Sequence, residues 1–93
     1  MICNGYTCKN PVYIYIVRCI NGSFYTGYTT NIEQRIKQHK AGKGARHIKI
    51  YGFKEYTYLQ CQDSSSGRRI ELKIKKWKPE RKAKMFKLYG IYQ

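Results

Sequence analysis

Acidic residues are scarce: five Asp and Glu stand against 19 Lys and Arg in 93 residues, a formal net charge of +14. Such an imbalance in so short a chain points to a polyanionic partner, and nucleic acid is the simplest one. Long apolar runs are absent, which excludes a membrane-spanning helix. Residues 1–10 (MICNGYTCKN) have neither the charged start nor the apolar stretch of a secretory leader, so an intracellular, non-secreted protein is expected. No internal repeat occurs, and the one low-complexity stretch is Ser64-Ser65-Ser66-Gly67. The length suits one domain and not two, read as an N-terminal segment 1–10 followed by a domain over 11–93. A domain this small buries only about 60–65% of its unfolded surface, so its core is thin. Aromatic residues, by contrast, are plentiful: ten Tyr, three Phe and one Trp argue against a disordered basic tail.

Cys3, Cys8, Cys19 and Cys61 allow three disulfide pairings. Cys3 and Cys8, with Cys61 or a histidine, could serve zinc, but no second ligand pair follows at finger-like spacing. Cys19 and Cys61 each end a strand-like run, where a free cysteine behaves as a small buried apolar residue. Reduced structural thiols are therefore expected.

The run Val12 to Cys19 (VYIYIVRC) is apolar on both faces and rich in β-branched and aromatic residues, the pattern of a central strand. Asn21-Gly22 marks a hairpin turn, with Phe24 to Tyr28 as the return strand. Thr30 and Glu33 form a capping box that opens a helix running to about Ala41 and stopping at Gly42 or Gly44. Lys54 to Cys61 alternates as a third strand. Ile70, Ile74 and Trp77 recur at helical spacing and predict a second helix over Ser66 to Lys78. Pro79 opens a third helix, which Gly90 ends. The predicted fold is α+β: a small three-stranded antiparallel or mixed sheet flanked by three helices, in the order β-β-α-β-α-α.

Two helices carry polar residues where apolar ones are usual. At about 100° per residue, Ile32, Arg35, Ile36 and His39 all fall within about 100° of arc. That is the stripe a surface helix turns toward its sheet, and half of it is Arg and His. Either Arg35 snorkels to the rim and His39 is a satisfied edge residue, or this face borders a polar site. In the segment from Arg68 to Lys87, which begins in the second helix, ten Lys and Arg surround two acids, Glu71 and Glu80. Glu71 sits at the edge of the apolar face. It either pairs with Lys75 one turn on or holds a divalent cation within a phosphate-attracting field.

Taken together, these positions resemble the GIY-YIG nuclease superfamily, in its small single-domain members, over about residues 11 to 90. Tyr13-Ile14-Tyr15 corresponds to the first motif and Tyr25-Thr26-Gly27 to the second. Arg35 and His39, the Gly42-Lys43-Gly44-Ala45-Arg46 stretch, and Glu71 follow. Ten residues separate Tyr15 from Tyr25, ten more lead to Arg35, and four more to His39. Tyr13 stands where the motif has glycine, Thr26 where it has isoleucine, and Tyr28 where some members carry a lysine. A site shared by Tyr15 and Tyr25 requires both on one sheet face. A two-residue Asn21-Gly22 turn would separate them, so a three-residue loop, Asn21-Gly22-Ser23, is predicted.

The resemblance implies metal-dependent hydrolysis of DNA phosphodiester bonds, structure-selective or nonspecific, in repair or recombination. Glu71 would hold one Mg²⁺ or Mn²⁺ ion. Arg35 would donate to a phosphate oxygen. Tyr15 would act as general base and pass its proton toward His39. Tyr25 would position water or phosphate, and Gly27 would allow close backbone approach. Lys43, Arg46, Lys49, Arg69 and Lys73 would contact phosphates of a branched or nicked DNA, with a protein partner or a second copy assisting. Lys40 and His47 receive no chemical role. The competing reading is a catalytically silent basic nucleic-acid-binding module, and a third is an RNA-binding protein.

Overall fold

A computed structural model describes residues 11–93, and in it Val12–Cys19 forms β1, the middle strand of a three-stranded antiparallel sheet. β2 (Phe24–Thr29) and β3 (Phe53–Cys61) flank it in the order β2-β1-β3. The two-sided apolarity of β1 is the reason. Val12, Ile14 and Ile16 pack into one core and Tyr15, Val17 and Cys19 into a second, on the opposite sheet face. Helices α1 (Ile32–Lys40) and α2 (Arg46–Tyr51) supply Ile36 and Ile48 to the Tyr15 side. Helices α3 (Ser64–Lys75) and α4 (Pro79–Tyr89) supply Ile74, Met85 and Phe86 to the Ile14 side. The α+β class and the order β-β-α-β-α-α are as expected, with α2 added between α1 and β3. Six residues long and burying only Ile48, α2 is too short to show a period and depends on packing for its helicity.

Local boundaries differ from expectation where a side-chain hydrogen bond decides them. Asn31, not Thr30, caps α1: its side chain accepts from the Gln34 N–H at 3.1 Å. The hydroxyl of Thr29 accepts the Asn31 N–H at 3.1 Å and so delays the helix by one residue. The hairpin loop has three residues, but they are Ile20-Asn21-Gly22. Cys19 N–H donates to the Ser23 carbonyl at 2.8 Å, and Gly22 takes the positive φ of 87° that closes such a loop. Tyr15 thus faces Gly27, and Tyr25 faces Val17. The shift from the expected register is even, so Tyr15 and Tyr25 still share a face. α3 starts at Ser64, because Asp63 accepts the Ser66 N–H at 2.8 Å. It ends at Lys75, as Pro79 forces Lys78 into extended geometry. β3 gains Phe53 at its start.

Cys19 and Cys61 are free, buried thiols whose pKa values burial pushes up. Cys3 and Cys8 lie outside the described residues, and with them the zinc and disulfide alternatives that involve them. Three acids have structural work. Glu55 pairs with Arg18, whose guanidinium lies 4.4 Å from the centre of the Phe86 ring. Asp63 caps α3, and Glu80 sits in the first turn of α4, where the helix dipole favours negative charge.

The Thr57 hydroxyl is fully buried and has no hydrogen-bond partner among the described residues. Replacing it with the isosteric valine removes an unpaired polar group, and Thr57→Val is expected to raise stability by about 1 kcal/mol. A higher urea midpoint with an unchanged slope is the signature.

Candidate active site

The centre of the site is a tyrosine lying across a glycine. Tyr15 points from β1 over its cross-strand partner Gly27, and a Cβ on Gly27 would come within 2.3 Å of the phenol's Cζ and Oη. No side chain larger than hydrogen fits there while Tyr15 keeps this position. α1 lays its Ile32, Arg35, Ile36 and His39 stripe on the same sheet face, with Ile36 and His39 buried and Arg35 half-buried. His39 Nε2 and Tyr15 Oη are 2.7 Å apart. Tyr25 completes the group, its ring centre 6.3 Å from that of Tyr15 and 5.7 Å from that of His39.

The loop after α1 settles the direction of the hydrogen bond. The Ala45 N–H donates to His39 Nδ1 at 3.2 Å, so the neutral imidazole carries its proton on Nε2 and donates to Tyr15 Oη. His39 therefore cannot take the Tyr15 proton, and the proton path expected from the sequence is corrected. Burial, aided by the nearby Arg35 charge, drives the His39 pKa down to about 4. Burial pushes the Tyr15 phenol up to about 12, against the pull of the Arg35 guanidinium; Tyr25 and Glu71 add to the rise. Arg35 and Glu71 thus both act electrostatically on Tyr15, although they come from helices on opposite faces of the sheet.

Arg35 lines a polar cleft of about 350 Å³ together with Tyr28, Thr29, Asn31, Gln34 and Gln38. Its Nη1 donates to Gln38 Oε1 at 3.1 Å. Glu71 is brought close by α3, which packs hard on the sheet at Gly67: a Cβ there would meet Val12 Cγ2 at 2.6 Å. One turn later Glu71 is 8% exposed, with Lys75 at 3.3 Å and Arg68 at 3.8 Å. The Lys75 pairing read from the sequence is therefore present. Tyr28 faces away from Tyr15, toward α3, and the Arg68 guanidinium stacks 4.1 Å from its ring centre. Lys43, Arg46, Lys49, Arg69 and Lys73 are all exposed on the surface.

Three features of the site escaped sequence reading. Gly44 fits only without a side chain, since its Cβ would lie 2.2 Å from His39 Nδ1. The Ala45 amide fixes the His39 tautomer. His47, on α2, stacks 6.3 Å from Tyr25 and lies 2.9 Å from the Ser23 hydroxyl. Gly44 and Ala45 fall within the stretch carried over by resemblance, but nothing in their identity reveals a contact with His39. His47 has no sequence signal at all, because α2 has none.

Among the described residues, no three His, Cys, Asp or Glu side chains converge into a metal cage. Glu71 fits the sparser kind of site, where one carboxylate, water and substrate phosphate together hold Mg²⁺. Its contacts with Lys75 and Arg68 show a carboxylate oriented for cations, and a dication there would replace them.

Comparison with known proteins matches residues 11–84 to the GIY-YIG catalytic domain. The chain is 45% identical to a UPF0213 protein of Staphylococcus haemolyticus over 74 residues, 78% of this chain and 90% of the relative. It is 36% identical to a UPF0213 protein of Haloquadratum walsbyi, again over 74 residues, 78% of this chain and 83% of the relative. Its fold is similar to the solution NMR structure of a UPF0213 protein from Bacillus halodurans. That match has a TM-score of 0.53 and 34% identity and covers 86% of each chain.

Because His39 is buried neutral, the unfolded chain binds a proton at its ordinary pKa while the folded chain resists until about pH 4. Stability from this residue is fully present above pH 6.5 and drains away as pH falls toward 4, by up to about 3 kcal/mol. Urea melts at a series of pH values are expected to show that slope, and His39→Gln is expected to flatten it.

Proposed function

The chain belongs to the GIY-YIG catalytic-domain family, alongside the UPF0213 proteins, and from that premise we propose that it is a divalent-metal-dependent DNA endonuclease. The reading is supported above all by the gathering of Tyr15, Tyr25, His39 and Arg35 beside a polar cleft, with the charge of Glu71 felt at Tyr15. A single Mg²⁺ or Mn²⁺ on Glu71 would supply Lewis-acid stabilisation of the leaving 3′ oxygen.

The chain's own residues do the rest. Arg35 exchanges Gln38 for a non-bridging phosphate oxygen and meets the charge that grows there in the transition state. That movement also uncovers Tyr15, which is fully buried in the free protein. Tyr15 then accepts a proton from the attacking water as its phenolate, held by the Nε2–H of His39. Its own proton leaves through the cleft, since His39 Nε2 is already occupied. Tyr25 positions the water, and Gly27 leaves room for the Tyr15 phenol to lie across β2. Lys43, Arg46, Lys49, Arg69 and Lys73 grip the phosphate backbone and carry no base readout. The substrate is accordingly DNA recognised by shape, branched or nicked, rather than by sequence. One observation favours the competing silent module: at rest neither Tyr15 nor His39 titrates near neutrality. Incubation with nicked and branched DNA, with Mg²⁺ and with EDTA, separates the two; binding without metal-dependent cutting selects the module.

Arg35→Ala and Glu71→Gln are each expected to lower the nicking rate by about 10²–10³-fold or more. DNA affinity in a gel-shift assay should stay within a few-fold of the parent. Normal cleavage by purified Glu71→Gln would remove the metal assignment.

With the Tyr15 phenol near 12, its phenolate fraction grows about tenfold per pH unit across the neutral range. The single-turnover nicking rate is expected to climb with pH from 6 to 9 without a plateau, and Tyr15→Phe to lose both the rate and the slope.

A further inference from the structure

We infer that the β3 side of the molecule carries a stacking track for the bases of single-stranded DNA, leading from the Arg35 cleft across Tyr13, Tyr58 and Tyr92. The inference rests on the endonuclease reading for its substrate and extends it to the strand beyond the cut. Tyr13 pairs with Thr29, a wall of the cleft, on one side and with Gln60 of β3 on the other. Its ring centre is 6.0 Å from that of Tyr58, which lies 5.1 Å from Tyr92, and Tyr56 closes the row 5.5 Å from Tyr92. Tyr13, Tyr56 and Tyr58 are half-buried, and Tyr92 is 39% exposed. Tyr92 is fixed in place by a two-bond bridge to Tyr56, at 2.8 and 2.9 Å.

Past Tyr58 and Tyr92 the row opens into a groove of about 900 Å³. There the Arg81 guanidinium stacks 4.4 Å from the Trp77 ring centre, and Lys84 lines the wall. Among the described residues, no acidic side chain lines this groove. The carboxylate whose charge is felt at Tyr56 and Tyr58 is that of Glu33, on exposed α1 surface. A row of flat rings leading to a groove with two cations suits a substrate of flat bases strung on phosphates. Duplex DNA cannot use them, since its bases are already stacked on each other. The row is exposed at its Tyr92 end, where the groove begins, and reaches the cleft at its other end through Thr29, the strand partner of Tyr13.

The test is binding of the full-length protein, in EDTA, to labelled oligothymidylate, to an abasic strand of equal length, and to duplex. Oligothymidylate is expected to bind at least about tenfold tighter than the abasic strand. Tyr92→Ala and Tyr58→Leu should each erase most of that difference while leaving duplex binding and duplex nicking unchanged. Tyr92 is 39% exposed and lies outside the three strands, so its replacement tests the track even if Tyr58→Leu fails to fold. Equal binding of oligothymidylate and abasic strand, or tighter binding of oligouridylate, would overturn the inference. Base-dependent binding by a protein that never nicks DNA would sink the endonuclease reading and leave the track standing. Nicking without base dependence would do the reverse.

Discussion

The buried hydrogen bond between His39 and Tyr15 is the contact on which the rest of the site depends, and it constrains residues well beyond the pair. Gly27 must lack a side chain so that the phenol can lie across β2. Gly44 must lack one so that the loop can reach the imidazole and deliver the Ala45 amide to Nδ1. That amide, in turn, makes His39 a donor and Tyr15 an acceptor. Polar atoms removed from water require such partners, because each unpaired one would carry a desolvation cost. The result is a buried, neutral centre beside a half-buried arginine held by Gln38.

Charge is organised around that neutral centre by scarcity. Of the five acids, Glu55, Asp63 and Glu80 serve an ion pair, a cap and a helix first turn. Glu33 is exposed on α1, which leaves Glu71 as the buried carboxylate whose field reaches the phenol. A cationic surface of this density attracts phosphate without choosing among sequences. Selectivity then has to come from the shape of the cleft and from what lies on either side of it. The sheet provides both sides: a polar cleft by β2 and an aromatic row by β3.

Much of this was legible in the one-dimensional pattern. β1 was recognisable as the central strand because its alternation is apolar on both faces, and α4 because proline and glycine bracket it. The inward Arg35 and His39 were visible from helical spacing, which gives direction but no partner. α2 was not legible, since six residues span less than two turns and only Ile48 is buried. The cap at Asn31 and the start at Ser64 were missed for a shared reason. Several neighbouring side chains could cap, and only the backbone path selects which oxygen meets the N–H. The hairpin register was misplaced by one residue along each strand, yet the face assignment survived, because alternation depends only on parity.

By itself, then, the sequence determined the α+β class, the strand at the centre, the excess of positive charge and the family to which the chain belongs. Those follow from local propensity, period and composition, each of which is a property of neighbouring residues. The tertiary structure alone decided which way the Tyr15–His39 proton points, why Gly44 is a glycine, and that the charges of Arg35 and Glu71 act on one phenol from opposite sheet faces. These depend on contacts between residues far apart in the chain. Their energies come from burial and exact orientation, which no linear pattern records.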